Sequence, residues 1–129
     1  MIKKVKISDL MDYQWKNFDF SNPDLFINKF SYRLSDYGSI YGEFESFNDP
    51  NIGCSNASHK VYNIYYDNYC LYAEIFILDN KFGKLLKSKI DDDNYEWCLK
   101  MKTKWNTNER FTITEIYTVD LNKKKKIIE

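Results

Sequence analysis

The residues able to do chemistry near neutral pH are few, and one type occurs once. His59 is the only histidine. Imidazole is the one side chain whose ordinary pKa lies near neutrality, so His59 is the obvious acid–base candidate. A single histidine also excludes His₂ and His₃ metal centres within one chain. The cysteines are Cys54, Cys70 and Cys98. They form no CxxC pair. With His59 they reach at most a Cys₃His set, and their spacing is not that of a zinc ribbon or finger. We therefore expect no metal and no cofactor. An odd, sparse cysteine count suits a reducing compartment.

The chain has 129 residues, the size of a single domain spanning 1–129. Nineteen Lys and Arg balance nineteen Asp and Glu. That balance argues against a nucleic-acid binder working by bulk charge, and no specific nucleic acid is expected. Aromatic residues make up 18%. This excludes a disordered chain and allows a real core. The first residues carry lysines without an apolar run, so no signal peptide and no membrane span is expected. The four lysines 123–126 read as a solvated tail.

The elements that must position His59 follow from local pattern. Residues 1–20 read as an irregular or strand-like lead-in, peripheral like the tail 122–129. Asn22 can cap a helix, Pro23 suits its first position, and Asp24 suits its positive end. Phe26, Phe30 and Leu34 then recur every four residues, and the helix should end before Gly38. Strands are predicted over 41–47 and 60–66, with a loop over 48–58 between them. Asp67-Asn68 is a turn signal. In the strand 70–78, Leu71, Ala73, Ile75 and Ile77 share one face. A short helix carries Phe82, Leu86 and Ile90 inward, capped by Asp79 or Asn80. Strands over 96–105 and 110–121 close the chain. The class is α+β: a curved, mostly antiparallel sheet or small β-barrel with two flanking helices.

The order of motifs resembles the prohead (capsid maturation) proteases of tailed phages, which share a fold with herpesvirus assembly proteases. The motifs run Asn56-Ala57-Ser58-His59, Tyr72-Ala73-Glu74-Ile75-Phe76-Ile77-Leu78, then Gly83-Lys84-Leu85-Leu86-Lys87. They are flanked by Tyr41-Gly42-Glu43-Phe44-Glu45 and by the late strand Ile116–Leu121. The likeness spans about 20–121. It implies that His59 stands at the base position. The family's Gly-x-Ser-x-Arg-Gly motif is replaced by Glu96-Trp97-Cys98-Leu99-Lys100-Met101-Lys102, and the family's second histidine is missing where Phe47 to Pro50 stand.

Two expectations follow from the resemblance. In one, Cys98 is a substitute nucleophile, His59 its base, and Glu74 or Asp79 the carboxylate that orients the imidazole. In the other, Cys98 is a small apolar residue on a strand, facing away from Trp97 and Leu99, and peptidase activity is lost. The second makes the chain a viral capsid-assembly or virion protein that works through contacts with capsid or scaffold proteins. Its place would be the host cytoplasm or the virion. A small phage-encoded protein that binds a host factor is the reading from another class.

Overall fold

The computed structural model describes residues 2–11, 15–45 and 56–124. In chain order the elements are β1 (Ile2–Asp9), α1 (Asp24–Tyr37), β2 (Tyr41–Glu43), β3 (Ala57–Asp67), β4 (Cys70–Ile77), α2 (Lys81–Lys89), β5 (Tyr95–Trp105) and β6 (Phe111–Lys123). Four strands make one antiparallel sheet in the order β1-β4-β3-β2, and β5 and β6 form a second, two-stranded antiparallel sheet. The protein is α+β. The barrel alternative does not hold, because β1 pairs only with β4 and β5 only with β6.

Strand alternation builds the core. Leu71, Ala73 and Ile75 of β4 are fully buried, while Tyr72 and Glu74 take the other face. Val61 and Ile64 of β3, Phe26 and Phe30 of α1, and Ile113, Ile116 and Val119 of β6 pack against them. Burying one such phenylalanine stabilises the fold by about 2–3 kcal/mol.

The two helices are set by their ends. Pro23, not Asn22, occupies the N-cap of α1, and the Asn22 carbonyl instead accepts from the Leu25 N–H at 3.4 Å. Gly38 ends the helix at φ +75°, a left-handed conformation that suits a residue without Cβ, and its N–H donates to the Leu34 carbonyl at 2.9 Å. For α2 the cap is Asn80. Its Oδ1 accepts from the Gly83 N–H at 2.7 Å, and its Nδ2 donates to the Ala57 carbonyl at 3.0 Å. One side chain thus starts the helix and ties it to the head of β3.

Several boundaries differ from the sequence expectation. The lead-in carries β1, and its Val5 and Ile7 are buried together with Leu10. The β3–β4 turn is Asn68-Tyr69, with φ of +49° and +65°, so Asp67 pairs with Cys70. Two left-handed residues give a type I′ turn, whose twist matches the strands. The second strand stops at Glu43, because Glu45 turns away at φ +55°. β3 starts at Ala57 rather than Lys60, so Ala57 and Ser58 leave the expected loop and His59 sits inside the strand. Residues 46–55, which include Phe47 of the expected strand and Pro50 and Cys54 of the expected loop, lie outside the described residues. β6 runs to Lys123, and the Lys124 N–H donates to the Asn94 carbonyl at 2.7 Å. Lys125 and Lys126 lie outside the described residues.

Candidate functional site

His59 lies where the four-stranded sheet meets β6, and it is fully buried. Its cross-strand partner on β2 is Gly42. A Cβ at Gly42 would collide with His59 Nε2 and with the Val119 carbonyl oxygen. Only a residue without a side chain lets the imidazole cross under β2 to reach β6.

Both ring nitrogens are engaged. Nε2 lies 2.7 Å from the Val119 carbonyl oxygen, and Nδ1 lies 2.7 Å from Ser58 Oγ. A carbonyl can only accept, so Nε2 carries the proton and donates it. In the neutral ring Nδ1 accepts from the Ser58 hydroxyl, whose other acceptor, the Gly42 carbonyl, lies farther off at 3.5 Å. The ring meets Trp97 edge-on, with centroids 5.3 Å apart. Burial pushes the imidazole below its ordinary pKa, against the pull of the Val119 carbonyl and the Asp120 carboxylate. Burial favours the neutral imidazole, and the Val119 carbonyl fixes its proton on Nε2.

Further polar side chains continue this seam. Thr118 Oγ1 donates to the Tyr41 carbonyl at 2.8 Å, and the Glu43 N–H donates to Asp120 Oδ1 at 2.7 Å. Asp120, also buried, has Lys100 Nζ 3.4 Å from its Oδ2. The free edge of β2 is therefore satisfied by side chains of β6 where a neighbouring strand would offer backbone groups. Past Glu43 the backbone takes over, and the Glu45 N–H donates to the Leu121 carbonyl at 2.8 Å.

The four residues nominated from the sequence do not converge. Cys98 pairs across the hairpin with Asp120, and Trp97 with Leu121. Alternation puts Cys98 on the face opposite Trp97, and Trp97 is the residue that touches His59. Trp97 and Leu99 pack on the core. Cys98 Sγ lies 3.7 Å from the Glu96 carbonyl oxygen. Glu74 sits on the outer face of β4, where its Oε1 accepts from Asn63 Nδ2 at 3.3 Å. Asp79 is exposed beyond the end of β4. The carboxylate near His59 is Asp120.

Sequence reading passed over Gly42, Thr118 and Asp120. Thr118 and Asp120 alternate with Val119 and Leu121, which reads as a strand with one wet face. All four are buried. The signal was present in Tyr41-Gly42, a glycine interrupting a strand pattern, which marks close approach of another group.

A small cleft of about 160 Å³ opens on the other side of β5, between it and β1. Ile7, Ser8, Trp15, Trp97 and Cys98 are among its walls. Trp15 Nε1 donates to Ser8 Oγ at 2.7 Å. Among the described residues no cluster of three His, Cys, Asp or Glu side chains could hold a metal ion. Among the described residues no helix is long and apolar enough to cross a membrane. Comparison with protein-family models, with curated proteins and with solved structures finds no match.

Proposed function

We propose that this chain is a non-catalytic protein-contact domain, acting in viral capsid assembly or as a virion component on a prohead-protease-like fold. The observation that carries the non-catalytic part is the state of His59. A general base needs a nitrogen within hydrogen-bond reach of the proton it takes. Here Nε2 already donates to Val119 and Nδ1 already accepts from Ser58. The thiol of Cys98 stands on the other face of the hairpin. The viral part rests on the order of the sequence motifs. Contact through the surface is favoured by Tyr32, Tyr37, Tyr62 and Tyr69, each well exposed. Tyrosine is enriched where proteins meet.

The test is a thiol-reactive probe together with a cleavage assay on tailed-phage capsid and scaffold proteins. The proposal expects no preferential labelling of Cys98 and no cleavage. Selective labelling of Cys98, with cleavage abolished in Cys98→Ala, would restore the Cys-His peptidase.

A further inference from the structure

Helix α1 carries Lys29, Arg33 and Tyr37 at four-residue intervals, so they share one face. That face runs beside Glu115 and Tyr117 of β6. Lys29, Tyr32, Arg33, Asp36, Tyr37 and Glu115 line a cleft of about 350 Å³. Its volume suits a side chain.

Arg33 is fixed at the centre. Nη1 donates to Glu115 Oε1 at 3.1 Å. The guanidinium carbon lies 4.8 Å from the Tyr117 ring centre and 5.2 Å from that of Tyr37. The side chain is only 16% exposed. Its Nε is buried and has no hydrogen-bond partner. An unpaired buried donor is costly, and a native structure that keeps one calls for an explanation. A guanidinium binds carboxylates best through two adjacent N–H groups, and the edge that includes Nε is not used by Glu115.

We propose that this cleft binds an Asp or Glu side chain of a protein partner, with Arg33 as the anchor. The inference rests on the contact-domain reading and names its surface. The lining sets the chemistry. Arg33 is paired with Glu115, and with Lys29 and Asp36 the lining carries no net charge, so the unused Nε edge rather than bulk charge selects a carboxylate. Tyr32 and Tyr37, 74% and 70% exposed, offer apolar rims that a free inorganic anion would not use. Tyr37 is the last residue of α1 and covers the guanidinium from the solvent side. Nε is buried, so a carboxylate reaches it only when the Tyr37 ring swings aside.

The chain contains two arginines, Arg33 and Arg110, so an arginine Nε–Hε spectrum of the full chain has two signals and an internal control. The probes are a blocked Leu-Glu-Leu peptide and its Leu-Gln-Leu counterpart. Leu-Glu-Leu should move the Arg33 signal saturably and leave that of Arg110 in place. Leu-Gln-Leu should need at least ten-fold more peptide, and Arg33→Lys, checked for its folded spectrum, should bind at least ten-fold more weakly. Equal response to both peptides, equal movement of Arg110, or no movement of Arg33 would overturn the cleft. Cleavage of capsid or scaffold proteins would instead overturn the non-catalytic reading, since Arg33 has no part in it.

Discussion

The hairpin β5–β6 meets the four-stranded sheet on two sides, and the two sides are built differently. Between β6 and β2, polar groups are buried and matched: Thr118 with Tyr41, Asp120 with Glu43, and His59 with both Val119 and Ser58. Between β5 and β1 there is no strand ladder, and a cleft remains with one indole–hydroxyl bond on its wall. The histidine belongs to the first of these sides. A buried polar group without a partner is destabilising, so a residue placed in the first seam must have its hydrogen bonds filled. A group meant to react must keep one open. His59 has been given the first kind of surroundings.

The largest effects should come from breaking the polar seam. His59→Ala leaves the Val119 carbonyl unmatched and the Ser58 hydroxyl with only its 3.5 Å contact to the Gly42 carbonyl, beside a void, and should cost about 3–4 kcal/mol in denaturant unfolding. Gly42→Ala forces a methyl group into the His59 ring and the Val119 carbonyl, and should cost about 2–3 kcal/mol. If either change cost no more than a surface substitution, the seam would not hold the sheets together.

The next effect is the pH dependence of stability. The folded imidazole lies below its ordinary pKa while the unfolded one titrates near 6.5. The unfolded state therefore binds more protons as pH falls below about 6.5, and stability is lost in that direction until the folded group also charges. The slope reaches at most about 1.4 kcal/mol per pH unit. The difference between wild type and His59→Gln, followed from about pH 7 to pH 5, isolates this contribution from the carboxylates. A flat difference would mean that the ring titrates alike in both states.

At the open side the cost should be smaller. Trp15→Phe removes the bond to Ser8 Oγ and keeps most of the aromatic packing against Phe18 and Phe20, so about 1 kcal/mol is expected. A loss as large as that of His59→Ala would erase the contrast between the two sides. The smallest change is a gain. Tyr69→Gly relieves a left-handed residue and completes an Asn-Gly type I′ turn, worth about 0.5 kcal/mol.

Much of the fold was legible because its causes are local. The four-residue recurrence of Phe26, Phe30 and Leu34 marked α1, with Pro23 at its start and Gly38 at its end. The alternation of Leu71, Ala73 and Ile75 marked β4. Strand alternation also placed Cys98 away from Trp97 and Leu99. The site was less legible because its partners are distant in the chain. Val119 stands 60 positions from His59. No local pattern announces that a carbonyl will take the Nε2 proton. Thr118 and Asp120 mimic a solvent-facing alternation, and only the approach of β2 shows them to be interior. β1 escaped notice as a core strand for the same reason, since its pairing partner β4 lies far along the sequence.

His59 is a neutral structural residue with both nitrogens engaged. A single histidine makes the direct measurement simple: the ¹⁵N resonances of one imidazole followed through pH in the intact chain. The expected result is a neutral ring protonated at Nε2, with no charging where a free imidazole titrates, near pH 6.5, and no response to alkylation of Cys98. An imidazole that charges at or above its ordinary pKa, or whose titration shifts when Cys98 is alkylated, would contradict it.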